Sequence, residues 1–456
     1  MRAEELMKLK PELDVFLGRF EDCIPYRPSR EHLLTYVSGQ LGPLERKSVE
    51  PIALDASVPP RTLQEFLSFH RWREDSVATR IREIVKSEHS GRGTIGVIDE
   101  SGFPKKGKKT PGVQRQYCGQ TGKTDNCIVT VDLGYVVGDF HCLVDCDLYV
   151  PKSWINDEER RKEARIPEEL EFRTKWQIAL DLVGRSLADG VPLEWITADE
   201  LYGRTKDFRS GIADMGLKYA VEIPCSLMGW TRRLARKDEV ARRVDELWHR
   251  GGPSWDLFRV KDTEKGPEVW TCRVSRFIPQ EDDAKGEECW LIVAQNVLSG
   301  EVKYFLSNAP EATKPEVILK VVFSRWHIER IFEDGKGEVG MGHFEVRNYL
   351  SLKRHMIITM LSFLFLARST EKLKEKKILF SFCQVKKAVD IQLDPSSVSK
   401  EEVKRRLDRF LDKVDYWKER DEKSRKSFKK KRLRELHEKG IYLKRCRKCQ
   451  EANLAL

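Results

Sequence analysis

Apolar positions recur at helical spacing through the first 90 or so residues, and there Gly42-Pro43 and Pro59-Pro60 break the pattern into short amphipathic helices. From residue 94 the period shortens to two. Segments 94–98, 127–131 and 141–150 read as strands separated by glycine-rich turns, an antiparallel start to a sheet. A helix is predicted over 174–187, with Ile178, Leu182 and Leu187 near one face and Gly190 just past its end. A short strand, 194–198, follows and ends at Asp199. A meander followed by a helix-to-strand crossover implies a mixed α/β sheet.

The texture changes again between 220 and 310. A basic helical stretch, "RRLARKDEVARRVDELWHR", precedes the β-rich runs "WDLFRV", "EVWTCRV", "CWLIVAQNV" and "VKYFLSN", which read as a β-strand module inserted into the α/β unit. One long helix is predicted next, with Thr313 and Glu316 as a capping box and Pro315 in its first turn. The apolar run 356–367 is shorter than the roughly 20 residues a bilayer span needs, so it reads as a buried helix. Ser399 and Glu402 form a second capping box ahead of Val403, Leu407, Phe410, Val414 and Trp417 at helical spacing. The resulting division is 1–90 helical, 91–219 and 311–370 the two parts of an α/β core, 220–310 a β-strand insertion, and 371–456 a basic helical region; short helices like those of 1–90 often bind DNA, and a plain helical cap fits them equally.

Composition narrows the class. The 456 residues are 40% hydrophobic and 34% charged, a globular balance, and the N-terminus shows no apolar secretory segment. Eleven scattered cysteines read as reduced thiols. The lone C-x-x-C at Cys446 and Cys449 lacks a second pair at zinc-finger spacing. The net charge of +10 is uneven: from residue 371 onward 27 Lys and Arg face 15 Asp and Glu, so the tail carries the whole excess and points to a polyanionic partner.

The candidate chemistry lies elsewhere. Asp99 ends an apolar run, "GVIDE", and leads into Lys105, Lys106, Lys108 and Lys109. Asp199 ends a second run, "ITADE". On the long helix Arg325, Glu329 and Lys336 fall within roughly 40° of one another at 100° per residue. Two strand-end aspartates and a helical glutamate supply hard oxygen ligands for Mg²⁺ or Mn²⁺, and a pair of such ions suits in-line displacement at phosphorus. The flanking cations then hold phosphates. Glu100 and Glu200, on the opposite faces of their strands, are expected to point away. Asp132, Asp139, Asp145 and Asp147 are expected on solvated faces, and His327 in packing or a phosphate contact. "GQTGKT" is not a P-loop, because Tyr117 stands where its first glycine belongs.

Five blocks in order carry a family resemblance: "IDESGFPKKGKKTPGVQRQYCGQTGKTDNC", "LYVPKSWINDEERR", "ITADELYG", "KYFLSNAP" and "RWHIERIFEDGKGEVGMGHFEVR". Over roughly residues 30–370 the chain resembles the DDE transposases of bacterial insertion sequences, closest to the 701-type family. The resemblance implies an RNase H-like α/β fold: a mixed sheet with a β-strand insertion domain, a helical N-terminal domain and a basic helical tail. Asp99, Asp199 and Glu329 match the family's three acids, which implies catalysis on two Mg²⁺ or Mn²⁺ ions. Arg325, Glu329 and Lys336 match the last three members of a related Tyr-Arg-Glu-Lys signature, and Val322 replaces its tyrosine. The implied partners are inverted-repeat ends and target DNA, gripped by Lys105, Lys106, Arg115, Lys123, Arg325, Trp326 and Lys336. A homodimer in the prokaryotic cytoplasm, at the nucleoid, is the expected form. A catalytically silent, transposase-derived DNA-binding protein is the alternative.

Overall fold

The computed structural model describes residues 2–443 apart from 238, 248–255, 264, 395, 397 and 398; Cys446 and Cys449 lie outside the described residues. Six helices open the chain: α1 (Arg2–Met7), α2 (Leu9–Gly18), α3 (Arg27–Leu41), α4 (Val49–Asp55), α5 (Pro60–Ser68) and α6 (Glu74–Glu88). Gly42 caps α3 and Pro60 starts α5, so the breaks fall where backbone chemistry demands them.

The sheet begins with β1 (Ile95–Pro104), β2 (Gln114–Cys118), β3 (Lys123–Val137) and β4 (Phe140–Tyr149). After α7 (Lys152–Ile155), α8 (Glu158–Ala164) and α9 (Lys175–Ala188) come β5 (Trp195–Ala198), α10 (Glu200–Gly203), α11 (Lys206–Asp214) and β6 (Lys218–Ile223). Thr174 and Gln177 close a capping box on α9. β3 pairs antiparallel with β1, β2 and β4, whereas β1, β5 and β6 run parallel.

Seven further strands lie between 228 and 307: β7 (Met228–Thr231), β8 (Arg242–Arg243), β9 (Asp256–Thr263), β10 (Gly266–Glu281), β11 (Ala284–Lys285), β12 (Cys289–Asn296) and β13 (Val302–Ser307). β13 pairs with β6, so these strands continue the same sheet in the order β2-β3-β1-β5-β6-β13-β12-β10-β7-β8. The chain is therefore mixed α/β, with one large mixed sheet and helical N- and C-terminal parts. The basic stretch after residue 230 forms only two short helices among the described residues, α12 (Arg232–Arg236) and α13 (Val244–Leu247).

The single long helix predicted after residue 310 is two. α14 (Pro315–Phe323) stops at Ser324, whose hydroxyl donates to the Val321 carbonyl, and α15 (Trp326–Glu338) starts afresh from Arg325. Thr313 and Glu316 form no capping box; Lys314 is the N-cap and makes no side-chain bond. Pro315 does occupy the first turn. α16 (Tyr349–Glu375) is the core helix. It is apolar enough to span a membrane, yet 89% of its apolar window is buried by the rest of the chain. Gln40 of α3 bonds Thr359 and Ser362 of α16 at 2.8 and 2.7 Å, which fixes the N-terminal helices to it. α17 (Phe382–Leu393) and α18 (Lys400–Glu438) complete the chain, and the Ser399 hydroxyl caps α18 by accepting from the Glu402 backbone.

Candidate active site

The site lies where the sheet loses a strand. β1 and β5 are paired from Ile95 with Trp195 to Ile98 with Ala198, so the next residue on each, Asp99 and Asp199, stand side by side. β5 then ends and Asp199 caps α10, its Oδ1 accepting from Leu201 N at 2.9 Å. β1 does not end at Asp99, contrary to the expectation from its apolar run. It continues to Pro104 against β3, with Asp99 opposite Asp132. Asp99 is thus a mid-strand residue exposed by the departure of its other neighbour.

α15 lies over this face. Gly134 of β3 allows the close approach: a Cβ there would stand 2.9 Å from Ile331 Cδ1 and 3.0 Å from Ile328 Cδ1. With those isoleucines buried, Arg325 Nη1 reaches Asp99 Oδ2 at 3.1 Å and Nη2 lies 3.7 Å from Glu329 Oε1. Asp199 and Glu222 also face the guanidinium electrostatically. The three acids are therefore grouped around Arg325. Glu329 is two-thirds exposed at the cleft mouth, and among the described residues no three acidic, histidine or cysteine side chains converge at ion-holding distance. The expected shared pocket is instead a ring of carboxylates about one cation, which offsets their mutual repulsion.

Burial pushes the Asp99 carboxyl up to about 7, against the pull of Arg325 and with added repulsion from Asp199. Asp199 is raised by burial and by Glu100. Glu100 turns to Lys175 of α9 rather than to Arg325: its carboxylate accepts from Lys175 Nζ at 2.6 Å and the Tyr202 hydroxyl at 3.0 Å, and from there its charge adds repulsion to both aspartates. The α10 turn after Asp199 brings Tyr202 there, so a tyrosine hydroxyl reaches the acids although Val322 is buried in α14. Glu200 is exposed, as expected.

Asp132 and Asp145 are buried, not solvated, because α9 and α15 pack on β3, and α6, α9, α15 and α16 on β4. Asp145 is held by Arg82 and Arg185 at 3.1 and 3.0 Å. Asp132 accepts from Thr130 Oγ1 at 2.7 Å, and burial pushes its carboxyl up to about 8. Asp147 is mostly buried against Arg173, and Asp139 is exposed against Lys374.

The expected phosphate contacts divide. Lys336 Nζ stands 3.5 Å from the Gly102 carbonyl, above the acids, and its ammonium is lowered by burial while Asp132 and Asp99 oppose that shift. Trp326 is partly exposed, stacked on His327 and approached by Lys261 at 5.1 Å. His327 is a packing residue, 5% exposed and bonded through Nδ1 to the Ser324 carbonyl. Lys106, Arg115 and Lys123 are exposed. Lys105 departs from the expectation: its ammonium turns inward onto the Phe344 and Gly342 carbonyls at 2.7 and 3.3 Å and lies 3.6 Å over the Phe344 ring. An apolar niche at the end of β1 is filled better by that cation–π contact than by water.

Residues 19–252, just over half of the chain, match the family described as DDE superfamily endonuclease, a span that includes Asp99 and Asp199 but not Glu329. The chain is 28% identical over 317 residues to a protein of Microchaete diplosiphon named "Probable transposase for insertion sequence element IS701", covering 68% of this chain and 75% of that one. The fold is similar, at a TM-score of 0.42 and 10% identity, to a piggyBac transposase in a synaptic complex with hairpin DNA, over 84% of this chain and 76% of that chain. With Asp99 and Asp199 inside the matched span, the chain belongs to the DDE superfamily of endonucleases.

Proposed function

We propose that the protein binds the inverted-repeat ends of an insertion sequence, cuts the phosphodiester there and joins the freed 3′-hydroxyl to target DNA. The observation that carries this reading is the adjacency of Asp99 and Asp199 beneath Arg325 and Glu329. In the proposed RNase H-like core, an antiparallel meander feeds two parallel strands, and the strands beyond β6 are the insertion that helps hold DNA.

The family's chemistry calls for a divalent cation, and the donor type fits it, with Arg325 standing among the acids in its place. Carboxylate oxygens are the hard ligands that Mg²⁺ and Mn²⁺ take, and Asp99, Asp199 and Glu329 would hold two such ions. When bound, the ions activate the nucleophile and stabilise the leaving oxygen. The chain's own groups do the rest. Arg325, already placed among the acids, moves its guanidinium to a phosphate oxygen, where bidentate contact fixes orientation. Lys336 bears on the same phosphate from the next turns of α15. Lys175 and Tyr202 hold Glu100, which keeps negative charge close to Asp199. Lys105 fixes the end of β1, so that the exposed Lys106 and Lys123 extend the path of the backbone. Two ends must be held together, so the working form is a homodimer, acting at the nucleoid of a prokaryotic cytoplasm.

The test is Mg²⁺-dependent nicking of duplexes drawn from the DNA flanking the reading frame. Asp99→Asn, Asp199→Asn or Glu329→Gln is expected to abolish nicking and retain binding. Nicking by any of these variants removes that acid from the site. Binding without nicking by the unaltered protein favours a silent DNA-binding descendant of a transposase instead.

A further inference from the structure

Residues 101–124 contain six Lys and Arg and no Asp or Glu, and the structure folds their second half into an exposed ribbon. β2 and the first residues of β3 pair from Gln114 with Cys127 to Cys118 with Lys123, joined by a glycine-bearing turn at 119–122. Burial alternates along β2. Gln114 and Gln116 are half-buried and Cys118 is buried on one face, so Arg115 and Tyr117 are left outward with Asn126 and Thr124 opposite them. Tyr117 is 65% exposed, a large aromatic ring in water at a site where packing does not need it. The Asn126 side chain bonds the Lys105 and Gly107 carbonyls at 2.5 and 2.9 Å, which fastens the loop bearing the exposed Lys106 and Lys108 against the outward face.

We propose that this ribbon reads duplex DNA from the major groove, with Arg115 and Tyr117 against base edges and Lys106, Lys108 and Lys123 on the flanking phosphates. The inference rests on the transposase reading of the cleft, and it assigns sequence discrimination to a place that reading leaves open. A two-stranded ribbon fits the width of the major groove, and an arginine makes bidentate contacts with guanine there. Asp125 shares the half-buried face with Gln116, so the outward face that carries Arg115 and Tyr117 complements a polyanion. Spacing follows from the strand itself. β3 carries Asp132, opposite Asp99, and Asn126, opposite Arg115, six residues apart, which is about 20 Å of strand. Thr124, opposite Tyr117, lies two residues further. At 3.4 Å per base pair, Arg115 and Tyr117 meet the groove about six to eight base pairs from the scissile phosphate, which Arg325 and Lys336 hold beside Asp99.

The experiment uses the full chain and fluorescein-labelled duplexes tiled across the DNA that flanks its reading frame, with a scrambled duplex and an RNA duplex of the preferred sequence as competitors. The unaltered protein is expected to prefer one flanking duplex and to protect a patch about six to eight base pairs from the nick. The double variant Arg115→Ala, Tyr117→Ala is expected to lose that patch and at least about tenfold of its preference over the scrambled duplex, with scrambled affinity little changed. Both side chains are exposed, so an unchanged melting temperature is expected. RNA, whose major groove is too narrow for a ribbon, is expected to compete poorly. An unaltered preference and footprint in the variant, an equal loss on both DNA duplexes, or equal competition by RNA overturns the groove-reading role and leaves the transposase reading intact. No preference by the unaltered protein for any flanking duplex overturns both.

Discussion

The cleft and α18 hold charge in opposite ways. In the cleft, Asp99, Asp199, Asp132, Arg325 and Lys336 are largely buried, and each is displaced from its ordinary pKa by burial and by the others. α18 is anchored near its start by the buried Leu407, Leu411 and Val414, and near its end by the buried Leu436 and the packing of Lys429 and Arg432 on Gly266 of β10. Between those anchors residues 416–431 are all exposed, with eight Lys and Arg against three Asp and Glu. Few charges placed in low dielectric make chemistry, because their interactions are strong and specific. Many charges in water make only a field, which salt screens.

The sharpest way to break this contrast is to remove the acids. Asp99→Asn, Asp199→Asn and Glu329→Gln are each expected to slow strand cleavage by about a thousandfold or more, with DNA affinity changed less than about threefold. Next comes Arg325→Ala, with an expected loss of about a hundredfold in cleavage. It also leaves carboxylates unbalanced, so the metal-free protein is expected to melt lower and to gain more from added Mg²⁺ than the unaltered chain does, as a thermal-shift titration would show.

For α18 the expected effects are of another kind. Lys423→Ala, Lys426→Ala and Lys430→Ala together are expected to reduce affinity for a scrambled duplex about tenfold and to lessen the salt slope by about three, leaving the cleavage step and the melting temperature unchanged. Removal of residues 371–456 would not isolate the charge of the tail, because it cuts into α16 and takes away the buried Val385, Ala388 and Val389 of α17.

The smallest effect is a pH dependence. The Asp99 pKa in the folded protein is about 7, above the ordinary carboxyl value near 4. Between those values the folded chain keeps a proton that the unfolded chain has shed, so stability falls as pH rises from about 4 to 7. Asp99→Asn is expected to remove its share of that slope and leave the shares of Asp132 and Asp199, raising the metal-free melting temperature by a few degrees at pH 8 and hardly at all at pH 4.

Much of the architecture was legible because it follows from local chemistry. The strands β3 and β4, the helix start at Thr174, and the acids after Ile98 and Ala198 needed only nearest neighbours to be read. What failed depended on partners distant in sequence. β1 runs past Asp99 because β3 pairs with it there, 33 residues away. The helix break at Ser324 follows no proline or glycine; its hydroxyl turns back onto the helix, and the restart at Arg325 points a guanidinium at Asp99. Lys105 looked like a phosphate ligand until Phe344 supplied a ring for it. Strand alternation separates Glu100 from Asp99, but it could not show that Lys175 and Tyr202 arrive from α9 and α10 to hold it.

The most direct measurement is the anomalous scattering of Mn²⁺ in crystals of the full chain. A peak within about 2.3 Å of oxygens from both Asp99 and Asp199, with the Arg325 guanidinium withdrawn from Asp99, is the expected result. Saturating Mn²⁺ with no peak between those aspartates, and Arg325 still bound to Asp99, would contradict the account.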